Sequence, residues 1–308
     1  MQQTHLVFAT ATYAYMQEAL CQRPGMALGT VERQHFPDGE RYQRIASDVT
    51  GCDVVLIGGT VSESDTLEMY DLACSLVDEG ARSLSLVIPY FGYATMERAV
   101  QRGEVVTAKT RARLLSAIPQ AARGTRAFLF DLHSEGIPYY FEGSIRPVHV
   151  YCKPVITQAI IAAGGERYVL GATDAGRGKW IESLASELGV PPAGIFKRRL
   201  DGATTQITWV NGDVQDHHVV IYDDMIRTGG SLIGAARAYR EAGATGFSVV
   251  ATHGVLPGDA LSRLQDCGLF ERIVCTDTHP RAHQLAGVGL TVKPIDGLIW
   301  NCLQNVRA

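Results

Sequence analysis

No CxxC pair occurs in this chain; its seven cysteines are scattered at Cys21, Cys52, Cys74, Cys152, Cys267, Cys275 and Cys302. That spacing argues against the common zinc frameworks. An odd, unclustered set suits reduced thiols in a cytosolic compartment, acting as small apolar core residues. No run approaches the roughly 18 consecutive apolar residues of a membrane span. The opening MQQTHLVFAT has no basic start, long apolar stretch or small-residue cleavage site, so no signal peptide is expected. An excess of positive charge is also missing. The formal net charge is −4, which leaves no global field for nucleic acid, so any anion must be bound locally. Low-complexity tracts and short-period repeats are absent.

What remains is a globular composition of 308 residues, 46% hydrophobic and 19% charged. That length suits two domains of about 150 residues each. Short β-branched runs recur with room for a helix between them. HLVFAT, DVVLIGGT, LSLVIPY and AFLFDLH lie in the first half; YVLGATD, HHVVIYDD, FSVVATHG and RIVCTDT lie in the second. They read as strands buried on both faces. The amphipathic stretches 66–79, 107–117, 179–188 and 231–242 read as helices. The alternation predicts an α/β fold with a mainly parallel sheet flanked by helices in each domain. The two prolines of SIRPVHVYCKP mark a boundary between domains 1–148 and 149–296. The last helical segment, within 297–308, is expected to join the first domain.

Several strands end in polar clusters: DLHSE, TDAGRGK, DDMIRTGGS, THG and TDTHP. In open parallel sheets, ligands sit beyond the carboxyl ends of the strands. The sharpest motif is VVIYDDMIRTGGS, 219–231. Four apolar residues form a strand, and Asp223 and Asp224 follow. Thr228, Gly229, Gly230 and Ser231 then turn into the helix LIGAARAYREAGA. Paired glycines let bare N–H groups approach a ligand, and the helix N-terminus favours an anion. Hydroxyls of Thr228 and Ser231 complete a phosphate cradle. The two aspartates suit sugar hydroxyls or a magnesium ion shared with the ligand. The motif is not a Walker A loop, since no GK[ST] follows.

This loop resembles the phosphoribosyltransferase-like fold, whose members hold a ribose 5-phosphate there. With HFPDGERYQRI, IPYFGYATMER, DLHSEGIPYYF, TDAGRGK and FKRRLDG in order along the chain, the sequence is similar to the ribose-phosphate diphosphokinases over nearly its whole length. The resemblance implies two tandem phosphoribosyltransferase-like domains. It implies diphosphoryl transfer from magnesium ATP to ribose 5-phosphate, with Mg2+ as cofactor, in a homo-oligomer (dimer or hexamer). Phe36, Asp38 and Glu40 resemble the loop that reaches the adenine of ATP in the next subunit. His133 matches a histidine that contacts magnesium ATP, and Asp174 an acid at the metal and sugar site. Lys197 and Arg199 match flexible-loop cations that act during transfer. Asp223, Asp224, Arg227, Thr228, Gly229, Gly230 and Ser231 fall on the sugar-phosphate loop.

Two departures from the family pattern bear on substrate. After PYFGYA the family normally reads RQDR, whereas this chain has Thr95, Met96, Glu97 and Arg98. One cation and one amide of the nucleotide site are missing, and Arg98 and Arg102 are the candidate replacements. In the sugar-phosphate loop, Arg227 replaces an aspartate and Gly229 an alanine. The first change swings local charge by two units beside the phosphate. It suits a more highly charged acceptor such as ADP-ribose, which some similar proteins use. The bland alternative is that Arg227 reaches a nearby acid. A catalytically silent regulatory homologue and an ordinary phosphoribosyltransferase are the readings from other classes.

Overall fold

The computed structural model describes residues 4–199 and 205–305; for 175, 197–199 and 205–208 it describes the backbone alone. The chain divides into two compact units, Met1–Tyr151 with Asp296–Ala308, and Cys152–Ile295.

In chain order the first unit contains β1 (His5–Ala9), α1 (Ala14–Cys21), β2 (Met26–Leu28), β3 (Val31–His35), β4 (Arg41–Ile45), β5 (Asp53–Ile57), α2 (Glu63–Asp78), β6 (Ser83–Ile88), α3 (Thr107–Ser116), β7 (Thr125–Phe130) and β8 (Arg146–Val150). Six strands form one sheet in the order β2-β1-β5-β6-β7-β8, parallel throughout. All five residues of β5, DVVLI, are buried, as expected of a central parallel strand covered on both faces. Helix α2 shows how periodicity builds the layer above. Met69, Leu72, Ala73 and Leu76 recur at helical spacing and are buried, so one stripe faces the sheet. Ser62 starts the helix by accepting a bond from the Asp65 N–H at 3.1 Å. Gly80, at φ +90°, lies just past its end, where a left-handed residue stops a helix at least cost.

Strands β3 and β4 form a separate antiparallel ribbon. A lone two-stranded ribbon is marginal in water, and this one is tied to α2 through Glu68. The Glu68 carboxylate is buried. Its Oε1 accepts from Arg33 Nε at 2.8 Å, Gln43 Nε2 at 3.3 Å and the Ala11 N–H at 3.1 Å. Arg41 lies 3.6 Å from Oε2.

The second unit contains α4 (Lys153–Gly164), β9 (Tyr168–Ala172), α5 (Gly178–Leu188), β10 (Pro192–Arg199), β11 (Thr205–Asn211), β12 (His218–Ile226), α6 (Gly230–Glu241), β13 (Gly246–Gly254), α7 (Ala260–Asp266), β14 (Phe270–Thr276), α8 (Pro280–Gln284) and β15 (Thr291–Lys293). Its sheet runs β11-β10-β9-β12-β13-β14-β15. Every pairing is parallel except β10 with β11. The core joins Val219 and Ile221 of β12 to Leu232, Ala236 and Tyr239 of α6. Tyr239 needs space against the sheet, and Gly171 provides it: a Cβ there would lie 3.0 Å from the tyrosine ring. The Tyr239 hydroxyl then donates to the Ala172 carbonyl at 2.8 Å, locking α6 to the end of β9.

The chain ends in α9 (Asp296–Asn305), which belongs to the first unit. It lies against α1, held by an Arg23–Asp296 ion pair at 2.6 Å and by Trp300 Nε1 donating to the Pro24 carbonyl at 3.0 Å. Among the described residues, no helix is long and apolar enough to cross a membrane.

Removing one partner of a buried ion pair costs about 3–5 kcal/mol. Arg33 and Arg41 keep partial contact with water, so Glu68→Ala is expected near the lower end, about 3 kcal/mol. Urea unfolding followed by circular dichroism checks this, with Glu68→Gln losing less because it keeps an acceptor.

Candidate active site

Strand β12 runs four residues beyond the expected stop at Tyr222, so Asp223 and Asp224 lie within it rather than after it. The parallel ladder with β13 extends to Ile226 paired with Gly254 and carries both acids into ordered backbone. The two carboxylates are held by the connection that follows β9. Thr173 Oγ1 donates to Asp223 Oδ2 at 2.9 Å. Arg177 Nη2 lies 2.5 Å from Asp224 Oδ2, and its Nε lies 4.0 Å from Asp223 Oδ1. The Asp224 N–H donates to Asp223 Oδ1 at 2.9 Å. Burial and repulsion from Asp224 push the Asp223 carboxyl up to about 7, against the pull of Thr173 and Arg177.

Beyond β12 the chain turns into α6. Gly229 occupies the N-cap in a left-handed conformation, φ +79°. A Cβ there would also meet Leu264 of α7 at 2.8 Å. The departure to glycine at this position thus has a backbone cause. Gly230 opens the helix, and Arg227, Thr228 and Ser231 are exposed around the turn. The exposed N–H groups and hydroxyls of a helix N-terminus suit an anion.

Asp174 is half-buried past the end of β9 and accepts the Gly176 N–H at 2.9 Å. It does not cap the following helix: a short 3-10 turn, Ala175–Arg177, intervenes, and Arg177 is the N-cap of α5. The carboxylate is a hard oxygen donor of the type magnesium prefers. Lys197 and Arg199 lie on β10, with backbones paired to Ile207 and Thr205 of β11. The resemblance implied a loop there, but the described backbone is an antiparallel strand pair. Their side chains lie outside the described residues, as does the 200–202 part of FKRRLDG.

Phe36, Asp38, Glu40, Arg98 and His133 stand on the first unit. The FPDGE turn joins β3 to β4. The Phe36 N–H donates to the Glu40 carbonyl at 2.8 Å, and the Gly39 N–H to the Phe36 carbonyl at 2.9 Å. Asp38 Oδ1 accepts the Glu40 N–H at 3.0 Å. Phe36 is 47% exposed, its ring edge-on to Tyr42 at 6.2 Å. The turn presents an aromatic face outward on a braced ribbon. Arg98 is exposed, 3.6 Å from Glu97 of its own segment.

His133 does not end β7, which stops at Phe130; it lies in the following bend and is exposed. Asp131 in that bend has φ +37°, an unusual backbone region for a non-glycine residue. Its neighbour Leu132 donates its N–H to His149 Nε2 at 3.1 Å. Burial draws the His149 imidazole below its usual range, consistent with a neutral ring accepting that bond.

Sequence reasoning quoted TDAGRGK but did not single out Thr173 or Arg177. Their partners lie about 50 residues away, so no local spacing exposes them. It also missed the seat of the acid strand, where Trp180 of α5 stacks on Tyr222 at 4.1 Å and 17°. At the end of β13, buried His253 bonds through Nδ1 to Thr278 Oγ1 at 2.8 Å. His279 is drawn down to about 4 by burial, His253 and Arg281. The polar clusters THG and TDTHP are therefore tied largely to one another.

An acid pair ending a parallel strand, followed by a glycine turn into a helix N-terminus, defines a protein of the phosphoribosyltransferase-like class. The family model for the N-terminal domain of ribose phosphate pyrophosphokinase matches residues 5–118. That for the phosphoribosyl synthetase-associated domain matches residues 201–301. A ribose-phosphate pyrophosphokinase of Synechococcus elongatus is 31% identical over 304 residues, 98% of this chain and 90% of that protein. One from Methanosarcina acetivorans is 33% identical over 277 residues, 88% of this chain and 93% of that protein. The crystal structure of phosphoribosylpyrophosphate synthetase from Mycobacterium smegmatis superposes with a TM-score of 0.85 at 28% identity, covering 99% of each chain. The chain belongs to the ribose-phosphate pyrophosphokinase family, a family of enzymes.

The Asp223 carboxyl gives a signed pH prediction. Its value is raised from 3.8 unfolded to about 7 folded, so the folded state binds the extra proton between those limits. The resulting stability is present below the unfolded value and is lost as pH rises through the folded one. Asp223→Asn cannot titrate and keeps an oxygen for Thr173. Without divalent cations, its melting temperature is expected to exceed the wild type by about 5 °C at pH 8. The gap should close toward pH 4, as read by scanning calorimetry.

Proposed function

We propose that this chain transfers a diphosphoryl group from magnesium ATP to the C1 hydroxyl of ribose 5-phosphate, giving phosphoribosyl diphosphate and AMP. The observation that carries this reading is the ordered pair Asp223–Asp224 on β12, followed by the Thr228–Gly229–Gly230–Ser231 turn at the N-terminus of α6. A sugar phosphate needs both an anion cradle and acceptors for its hydroxyls, and this segment offers them side by side. Family membership over nearly the whole chain supports the donor and the reaction.

In this reading the C1 oxygen attacks the β-phosphorus of ATP, the bond to the α-phosphate oxygen breaks, and AMP leaves. No covalent enzyme intermediate is needed; the protein aligns the partners and compensates charge. Thr228, Gly229, Gly230 and Ser231, with Arg227, bind the 5-phosphate. Asp223 and Asp224 accept ribose hydroxyls. Phe36, Asp38 and Glu40 reach the adenine of ATP bound in a neighbouring subunit, which makes the protein a homo-oligomer. Arg98 takes part in nucleotide binding in place of the missing family residues. Asp174 would offer magnesium its carboxylate, a hard oxygen donor, and His133 would offer its imidazole to magnesium ATP. The ion, when bound, withdraws charge from phosphate oxygens. Lys197 and Arg199 stabilise the charge that builds on the transferring group.

A second reading has its own observation. Arg227 is exposed at the mouth of the phosphate turn, where an added cation favours an acceptor with more negative charge. ADP-ribose meets that description and undergoes the same transfer.

Purified protein with magnesium ATP and one acceptor at a time, followed by mass spectrometry, tests both readings. AMP with phosphoribosyl diphosphate is expected. Product from ADP-ribose alone would transfer the assignment to the second reading. No AMP with either acceptor would refute both and leave a silent homologue. Lys197→Ala and Arg199→Ala are each expected to lower kcat by about 100-fold while raising KM far less. Equal damage to both parameters in steady-state kinetics would count against a transition-state role.

A further inference from the structure

The second unit places a cation on the sugar acids that the sugar-phosphate motif itself does not contain. Arg177 closes the turn after β9 and occupies the N-cap position of α5. Its guanidinium meets Asp224 at 2.5 Å and stands 4.0 Å from Asp223. It is 21% exposed, against 4% for the Asp224 side chain. A planar fork facing two carboxylates supplies charge and also direction, because its N–H groups point in fixed orientations.

The support behind this fork is rigid. Trp180, one turn further along α5, stacks on Tyr222, the residue before Asp223. The Tyr222 hydroxyl lies in hydrogen-bond contact with Thr252 Oγ1 at 3.2 Å. Thr173, on the same connection as Arg177, bonds Asp223 from the β9 side. One connection therefore orients both acids. Without the cation, two neighbouring buried carboxylates repel, and at least one turns away from the place where a sugar hydroxyl needs an acceptor.

We propose that Arg177 is a positioning residue of the sugar site: it holds Asp223 and Asp224 in the charge-compensated arrangement that accepts ribose hydroxyls, and thereby sets the preference for ribose over deoxyribose phosphates. The proposal rests on the reading of this pair as the sugar-binding acids. Arg177 acts through those acids, so its loss weakens acceptor recognition more than it slows the transfer step.

The test is calorimetric titration of the full-length protein without nucleotide. Ribose 5-phosphate, 2-deoxyribose 5-phosphate and inorganic phosphate are the probes, and wild type, Arg177→Met and Arg177→Lys are compared. Wild type is expected to prefer ribose 5-phosphate by about tenfold or more. Arg177→Met should bring the two sugars close to equal while phosphate binding persists, and Arg177→Lys should restore part of the preference. In steady-state kinetics, Arg177→Met should raise the acceptor KM about tenfold with kcat within about threefold. Full ribose preference in Arg177→Met would overturn the proposal. So would equal loss of all three probes, which indicates damage to the cradle or the fold. A wild type that binds both sugars alike would overturn it together with the sugar reading of the acid pair. Binding is read without ATP, so ribose preference in a protein that releases no AMP would support Arg177's role while refuting the transfer reaction alone.

Discussion

Two carboxylates on consecutive residues at the end of a buried parallel strand repel one another, and much of the second unit's site geometry answers that repulsion. Consecutive strand residues normally point to opposite faces. Arg177 nonetheless reaches toward both acids, because it approaches from the connection beyond β9, the strand beside β12. The Asp224 N–H turns back onto Asp223 Oδ1, adding a third source of compensation. The connection stays in place because α5 is stacked on β12 through Trp180 and Tyr222. Helix α6 stays in place because Tyr239 fits over Gly171 and bonds the last carbonyl of β9. A core contact and a largely buried charge pair thus serve the same end, holding the polar termini of β9 and β12 in register.

The first unit solves a related problem with the signs reversed. There a single buried carboxylate, Glu68, collects Arg33, Arg41, Gln43 and the Ala11 N–H. The beneficiary is a ribbon that the main sheet does not include. In the second unit one arginine serves two acids; in the first, one acid serves two arginines. Each arrangement fastens a loop-bearing element to the sheet–helix body through side chains.

The parallel strands and the main helices were legible because their signal is local. Runs such as DVVLI announce a buried strand, and the spacing of Met69, Leu72, Ala73 and Leu76 announces a helix face. The sugar-phosphate motif was legible for the same reason: acids, glycines and helix start lie within 13 residues of one another. The β3–β4 and β10–β11 pairs were not anticipated as strands. Sequences such as VERQH and RYQRI carry no apolar run, and the first ribbon depends on Glu68, which is remote in sequence. Arg177 escaped notice because a charged residue in a polar loop looks the same whether it faces water or an acid 47 residues away. The end of β12 was misjudged because hydrogen bonding to β13, rather than hydrophobicity, decides how far that strand runs.

The phosphate turn also divides its residues by how freely selection can act on them. In this chain position 229 is confined on two counts, a left-handed backbone and the side chain of Leu264, so the alanine usual in the family would disturb both this turn and α7. Position 227, two residues earlier, is exposed at the rim. A change of charge there meets neither the left-handed backbone nor the Leu264 contact that confine position 229. Divergence in acceptor preference within such a lineage would therefore pass more readily through position 227, whereas a change at 229 requires the turn and α7 to change with it.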